Sequence, residues 1–198
     1  MTPAPNAARP FIFLEKTALL LDQPLNVDPA RLRFAAGWTL AMERLCQAGF
    51  ALAVMSNESG LAFGYYDARA LEALQRQVAT RFTSRGLALA GFLYCPHHPQ
   101  GTVAQFAQLC DCRFRGSGLF KRAANELGAD LARSWLIAIS PDALHAARSV
   151  GCRTILVDSG HEPELLVPRR HAQPYDVAPD LSTAAALAIA EHHADAAA

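Results

Sequence analysis

The chain has 198 residues, of which 52% are hydrophobic, and this length suits one domain with a sizeable core. Its 18 basic and 18 acidic residues cancel, so no positive field favours a nucleic acid or an anionic membrane as partner. No apolar run approaches the ~20 residues of a membrane span and residues 1–10 lack a signal-peptide pattern, so we expect a cytoplasmic protein. Of the five cysteines, Cys46 and Cys152 lie in apolar surroundings and are predicted to be core thiols.

Apolar runs that alternate with amphipathic segments predict strands alternating with helices. The strand candidates are FIFL (11–14), ALAVMS (51–56), GFLYC (91–95), WLIAI (135–139) and TILVD (154–158). Helices are predicted over residues 30–48, 67–83, 118–128 and 141–150, with a terminal helix capped by Ser182. Strict alternation favours an α/β fold with a mostly parallel sheet and helices on both faces. We expect one domain over residues 1–198 with flexible ends at 1–9 and 194–198.

Two short cysteine pairs suggest a metal site. Cys95-Pro-His97 and Cys110-Asp-Cys112 each enclose one residue, and together they offer three thiolates and one imidazole. This is a complete tetrahedral ligand set for zinc with no open position for a catalytic water, so we predict a structural zinc that staples the loop over 95–112. His98 is an alternative to His97 as the fourth ligand, and a disulfide between two of the cysteines is the less favoured alternative.

The stretches YCPHHPQG, CDCR and SNESG, on this α/β pattern, resemble the haloacid dehalogenase (HAD) superfamily of phosphatases. They are most similar to its zinc-containing branch, the D-glycero-D-manno-heptose bisphosphate phosphatases and histidinol phosphatases. The likeness runs from about residue 10 to about residue 185. It implies a Rossmann-like HAD fold with a zinc-stapled loop, and a ligand crevice beyond the carboxyl ends of the strands.

The resemblance places an altered catalytic motif at the end of the first strand. The family has Asp-x-Asp-Gly-Thr there, in which the first Asp attacks phosphorus and the second is the general acid and base. In this chain Glu15 takes the nucleophile position, Thr17 takes the acid/base position, and Ala18 and Leu19 follow. A Glu carboxylate lies one methylene further out, and a Thr hydroxyl does not exchange protons near neutral pH as a carboxylate does. We therefore expect both catalytic positions to be degenerate.

The phosphate-binding positions are better preserved than the catalytic ones. By resemblance, Ser56 matches the family's phosphoryl-binding Ser or Thr, and Asn57 and Arg113 are further candidates for phosphate or substrate binding. The family's Lys-Pro after CDCR is replaced by Phe114 and Arg115. The lost lysine charge has three candidate substitutes at other places, Lys16, Arg115 and Lys121.

The resemblance also implies a lost magnesium site. The family's Gly-Asp, with a second Asp four residues later, falls on Ala138, Ile139 and Ala143. Magnesium needs hard oxygen ligands, so these apolar residues disfavour the ion. Asp142 lies next to the required position but is rotated by about 100° along a helix.

Losses of nucleophile geometry, proton transfer, metal and charge neutralisation together predict a catalytically inactive or strongly impaired HAD phosphatase homologue. Its role would be to bind a sugar phosphate or a protein partner, and the Tyr65-Tyr66 pair is a candidate contact surface. Two alternatives stay open at this point. One is an active sugar phosphatase, acting on a substrate like heptose bisphosphate with Glu15 as nucleophile, and the other is a purely structural or interaction module whose crevice is filled.

Overall fold

Six parallel strands form the centre of the molecule. The computed structural model describes residues 8–21, 27–158 and 176–197. The strands are β1 (Phe11–Glu15), β2 (Ala51–Asn57), β3 (Leu89–Cys95), β4 (Trp135–Ala138), β5 (Arg153–Val157) and β6 (Asp176–Ala178). Their order in the sheet is β3-β2-β1-β4-β5-β6, and every neighbouring pair is parallel. The five predicted strands are confirmed, whereas β6, a three-residue edge strand with one buried residue, was not predicted.

Helices connect the strands. The described residues form α1 (Lys16–Leu19), α2 (Trp38–Gln47), α3 (Ser59–Phe63), α4 (Ala68–Thr83), α5 (Gly118–Leu127), α6 (Pro141–Arg148) and α7 (Leu181–Ala197). The predictions for α4, α5 and α6 are confirmed to within one or two residues at each end. None of these helices is both long and apolar enough to cross a membrane.

The prediction of one helix over residues 30–48 is wrong in its first half. Only Trp38–Gln47 is α-helical, and it is preceded by a short 3₁₀ turn at Pro29–Arg31. Gly37 has φ 71°, a left-handed conformation that interrupts any helix running in from the N-terminal side. Phe34 still packs on the core, because its ring stacks on Trp38 at 4.2 Å. The apolar pattern therefore predicted correctly that Phe34 packs on the core, but it predicted wrongly that the residues before Trp38 are helical.

The two chain ends differ from expectation in detail. Asp180, rather than Ser182, caps α7, because its side-chain oxygen accepts a hydrogen bond from the Thr183 amide at 2.7 Å. The helix continues to Ala197. Near the N-terminus, the carbonyl of Arg9 accepts a hydrogen bond from the Asp130 amide at 2.9 Å, and the rest of the predicted flexible start, residues 1–7, lies outside the described residues.

Both faces of the sheet are covered, as the α/β prediction requires. Alternate residues of β1 belong to two separate core clusters: Ile12 and Leu14 pack with α2, α4 and α7, and Phe11 and Phe13 pack with α5 and α6. With both faces apolar and closed, the edge where the parallel strands end is the place where polar side chains meet a cavity.

Candidate functional site: the strand-end crevice and the cysteine cluster

A cavity of about 550 Å³ opens at the carboxyl ends of the central strands. We call it the crevice. The end of β1 supplies Glu15, which is followed by Lys16 and Thr17, and the end of β2 supplies Ser56 and Asn57. The segment after β4 completes the lining with Ile139, Ser140, Pro141 and Asp142. The crevice is open, so apolar side chains do not fill it.

Glu15 is buried and held by hydrogen-bond donors. Its Oε2 accepts hydrogen bonds from the amides of Ile139 at 2.9 Å and Ser140 at 3.0 Å. Burial raises the pKa of this carboxyl above its ordinary 4.5, whereas the two amides and the side chains of Ser140 and Thr17 act in the opposite direction. The carboxylate thus reaches across to the loop that joins β4 to α6, and that loop fixes its orientation.

A buried ion pair adjoins Glu15. The Lys16 Nζ lies 2.6 Å from Glu58 Oε1, and both side chains are at most 5% exposed. The phenol of Tyr66 donates a hydrogen bond to the second oxygen of Glu58 at 2.5 Å. Burial and the Glu58 carboxylate raise the pKa of Tyr66, so the phenol stays protonated and available as a donor.

Gly60 makes room for this arrangement. A Cβ at position 60 would lie 2.1 Å from a ring carbon of Tyr66, so only glycine allows the ring to turn inward at this point. Tyr66 therefore forms an internal contact, and of the two residues predicted to form a contact surface Tyr65 is the exposed one, at 64%.

The three predicted phosphate-binding residues are divided between two places. Ser56 and Asn57 line the crevice, and the Asn57 side-chain oxygen accepts a hydrogen bond from the Phe114 amide at 3.1 Å. Arg113 is not among the lining residues. Its guanidinium donates to the Ser59 hydroxyl at 2.6 Å and to the His97 carbonyl at 3.3 Å, so it joins α3 to the cysteine loop.

The positions where the family carries magnesium ligands are apolar or engaged in other contacts. Ala143 is buried and Ile139 is half-buried. The carboxylate of Asp142 lies 3.0 Å from Arg115 Nε in an exposed ion pair at the rim of the crevice. Of the other candidates for the missing lysine charge, Lys121 pairs with Asp111 at 3.0 Å on the surface. Among the described lining residues, only Glu15 and Asp142 carry carboxylates.

The predicted zinc ligands converge at a second place on the same edge of the sheet. Cys95, His97, Cys110 and Cys112 each offer one ligand atom, and these atoms all lie within 4.8 Å of one another. The three sulfur atoms are 3.1 to 3.5 Å apart, and the Nδ1 of His97 lies 3.2 Å from the Cys112 sulfur. Bonds of about 2.3 Å to a tetrahedral zinc would place sulfur atoms about 3.8 Å apart, so this group, the cysteine cluster, fits such an ion.

The structure decides between the alternatives left open for the cysteines and histidines. His98 lies outside the cysteine cluster: its ring packs on Phe63 at 4.8 Å, and its Nδ1 accepts a hydrogen bond from the Gln100 amide. All five cysteines are free thiols, so the disulfide alternative does not hold. Cys152 is buried in the core and Cys46 is half-buried against it, as predicted.

Sequence reasoning missed the contacts that Glu58, Tyr66 and Ser140 make at the site, although Tyr66 was predicted to form part of a contact surface. The sequence did contain a signal for Glu58. Lys16 directly follows β1 and Glu58 directly follows β2, and these strands are parallel neighbours, so both side chains arise at the same edge of the sheet. A lone acidic and a lone basic residue emerging from two apolar strands there are expected to pair. No spacing rule would have found the inward turn of Tyr66, because it depends on the room left by Gly60.

Comparisons with known proteins agree with this fold and site. The HAD-hydrolase-like family model matches residues 115–184. A D-glycero-beta-D-manno-heptose-1,7-bisphosphate 7-phosphatase of Escherichia coli O6:H1 is 35% identical over 158 residues, which cover 76% of this chain and 80% of that protein.

Two solved structures are similar along almost the whole chain. The D,D-heptose 1,7-bisphosphate phosphatase of B. bronchiseptica, solved with magnesium and phosphate, has a TM-score of 0.73 at 25% identity and covers 92% of this chain and 99% of its own. A HAD-like phosphatase structure from Mesorhizobium loti has a TM-score of 0.80 at 22% identity, covers 96% and 88%, and supports the fold. The chain belongs to the HAD-like family that includes the D-glycero-beta-D-manno-heptose-1,7-bisphosphate 7-phosphatases.

Proposed function

We propose that this chain is a non-catalytic member of its family, one that uses the crevice to bind a ligand and the cysteine cluster to hold a structural zinc. Its relatives support sugar-phosphate chemistry as the general class of function. The residues in the crevice determine how much of that chemistry this chain can perform.

The observation that carries the proposal is the position of the Glu15 carboxylate. Its Oε2 accepts hydrogen bonds from the amides of Ile139 and Ser140, and burial raises the pKa of the group. A carboxylate nucleophile needs an ionised oxygen free to approach phosphorus in line with the leaving group. Glu15 uses one oxygen to bind the loop after β4, and its raised pKa lowers the ionised fraction.

Among its described residues, the crevice also lacks the other groups that phosphoryl transfer requires, namely cations available to neutralise charge and a residue that transfers protons at the acid/base position. Transfer depends on positioning and on cations that neutralise the developing charge. A related phosphatase was solved with magnesium, but in this chain the positions at which the family pattern has magnesium-binding carboxylates are the apolar Ile139 and Ala143. Lys16 is neutralised by Glu58. Thr17 contributes to the hydrogen bonding of Glu15 and offers no proton transfer near neutral pH.

The cysteine cluster would hold zinc through Cys95, His97, Cys110 and Cys112. A bound zinc with four protein ligands supplies folding free energy to the loop and no catalysis. Arg113 and Asn57 bond to the residues around that loop, so its order also supports the wall of the crevice.

A working sugar phosphatase is the second candidate, and the 35% identity to a heptose-bisphosphate phosphatase favours it. In that case Glu15 would be the nucleophile in spite of its hydrogen bonds. Phosphate binding by Ser56, Asn57 and Arg113, as predicted from the sequence, belongs with this second candidate.

Phosphate release decides between the two. The purified, zinc-loaded protein would be incubated with magnesium and a panel of sugar phosphates, including heptose bisphosphate and histidinol phosphate, beside the Glu15→Ala variant. The E. coli phosphatase serves as the positive control. We expect no release above that of the variant. Magnesium-dependent release that disappears in Glu15→Ala would overturn the proposal and establish Glu15 as a nucleophile.

A further inference from the structure

We infer that the crevice binds an uncharged polyhydroxylated ligand, such as a sugar or polyol, in preference to a phosphate or phosphate ester. The inference rests on the proposed function, because it takes the crevice as a binding site. It is carried by the balance of charge and of hydroxyl groups among the lining residues.

Lys16, the basic residue of the described lining, is already neutralised. Lys16 Nζ lies 2.6 Å from a carboxylate oxygen of Glu58, and the two side chains are 5% and 0% exposed. A buried pair at this distance in a low dielectric interacts strongly, and separating it would leave an uncompensated charge in the interior. Lys16 is therefore poorly placed to neutralise an incoming anion.

The other charges near the crevice do not favour an anion either. Arg115 pairs with the lining carboxylate of Asp142, and both are largely exposed. Arg113 donates to Ser59 and His97 away from the lining. Of the described lining residues, Glu15 and Asp142 are acidic and Lys16 is basic, so their formal charges sum to −1 when all three are ionised. A phosphate ester with a charge of about −1.5 to −2 at neutral pH would find Lys16 and Arg115 already paired with the carboxylates of Glu58 and Asp142.

Hydroxyl groups, the Asn57 carboxamide and apolar surface make up the rest of the lining. Ser56 is 4% exposed, and its hydroxyl makes no hydrogen bond to any residue of the ranges that the structure describes. Thr17 and Ser140 add two more hydroxyls, while Ile139 and Pro141 add apolar surface. A sugar has both hydroxyl edges and C–H faces, and the volume of about 550 Å³ falls in the ordinary range for small-molecule sites.

The first test compares matched ligands on the wild-type protein. Isothermal titration calorimetry would measure binding of neutral hexoses and heptoses, each beside its own phosphate monoester, together with inorganic phosphate. We expect at least one neutral sugar to bind about tenfold or more tightly than its ester, since like-charge contacts at a binding site weaken affinity strongly. Tighter binding of the esters, binding of inorganic phosphate, or no binding by any neutral sugar would overturn the inference.

The second test alters the charge that the argument depends on. Glu58→Gln keeps the size and a hydrogen-bond acceptor for Lys16 but removes the neutralising charge, so the preference should shift toward phosphate esters by about tenfold or more. The matched control is Glu126→Gln, which removes the same charge from the exposed pair with Arg122 and should leave the preference unchanged. An unchanged preference in a folded Glu58→Gln protein would mean that the ion pair does not set ligand charge.

The two proposals fail in different ways. Turnover of a sugar phosphate overturns the non-catalytic function, whereas only the binding preference overturns the inference about ligand charge. If esters are hydrolysed, the comparison of neutral sugars with inorganic phosphate still tests the second proposal by itself.

Discussion

The cysteine cluster and the crevice lie at the same edge of the sheet, but the cluster matches the family pattern much more closely than the crevice does. The cluster keeps three thiols and an imidazole within 4.8 Å, a full set for a tetrahedral metal. In the crevice, by contrast, four positions lack the functional group of the family pattern. Thr17 stands in place of the acid/base Asp, Ile139 and Ala143 in place of the magnesium ligands, and Phe114 in place of the lysine. The demands on the two regions differ: a metal staple needs only the right donors at the right distance, whereas phosphoryl transfer needs several groups to act together.

Hydrogen bonds connect the two regions. The Asn57 side chain accepts from the Phe114 amide, and Arg113 joins Ser59 to the carbonyl of His97. The loop that carries the cluster thus also holds the end of β2 and the start of α3. Keeping the cluster therefore has a physical purpose even without catalysis, because it orders one wall of the crevice.

The largest effect is expected from breaking the cluster. If the cluster holds the zinc that we propose, about one ion per chain, Cys110→Ser removes one of its thiolates, so the protein should lose the ion and unfold at a lower temperature. Binding of structural zinc supplies about 10 to 16 kcal/mol in small zinc-finger peptides, so losing the ion here should cost several kcal/mol. Elemental analysis and thermal unfolding measure the two results.

Cys46→Ser is the matched control for this prediction. Cys46 is a half-buried thiol outside the cluster, so the same substitution should leave the metal content unchanged. Equal metal content in the two variants would mean that the cluster is not the metal site. A Cys110→Ser protein that has lost the metal but keeps wild-type stability would mean that the metal does not stabilise the fold.

The next effect concerns the floor of the crevice. Lys16→Met leaves the Glu58 carboxylate buried without its cation, which typically costs about 3 to 5 kcal/mol. Urea denaturation measures this cost, and Arg122→Met, which breaks an exposed ion pair, should have no measurable effect. The double variant Lys16→Met/Glu58→Met should recover much of the loss, because it removes both buried charges. A single variant as stable as the wild type would mean that the pair does not hold the crevice together.

The sequence was sufficient for the fold because periodic burial is a local property. Five apolar runs and three of the amphipathic segments gave strands and helices close to those observed. It failed where conformation depends on single residues or on distant partners: Gly37 interrupts the expected first helix, and β6 is too short to have a pattern. Asp180 caps the last helix two residues before Ser182, the cap that we predicted, and spacing alone does not resolve a difference of that size.

The sequence predicted the parts of the site that depend on the chemical type of the side chains. It did not predict the parts that depend on contacts between distant residues. The residues Cys95, His97, Cys110 and Cys112 were predicted from chemistry and spacing, and the structure chooses His97 over His98. Glu15 and Thr17 were predicted to be degenerate catalytic positions, which stays a prediction, and the hydrogen bonds that Glu15 makes across to Ile139 and Ser140 were not predicted because they depend on the folded loop after β4. The pairing of Lys16 with Glu58 required two strands to be placed side by side.

The smallest effect tests the protonation of Glu15. Because burial raises its pKa in the folded protein above its ordinary 4.5, the folded state holds a proton that the unfolded state releases. Its stabilising contribution is present in full at low pH and is lost as the pH rises through the folded pKa. Glu15→Gln cannot titrate and can still accept the amide hydrogen bonds through its carbonyl oxygen, so its stability relative to the wild type should increase with pH.

Urea denaturation of both proteins at matched pH values, from below 4.5 to 8, measures this difference and cancels effects that the two share. Glu126→Gln is the matched control: Arg122 lowers the pKa of Glu126, so any pH dependence has the opposite sign, and because this ion pair is exposed the difference from the wild type should stay small. A difference between Glu15→Gln and wild type that stays constant with pH would mean that the amides of Ile139 and Ser140 keep Glu15 ionised. The carboxylate would then carry its full charge into the crevice, which would weaken the case against a nucleophile and strengthen the case against an anionic ligand.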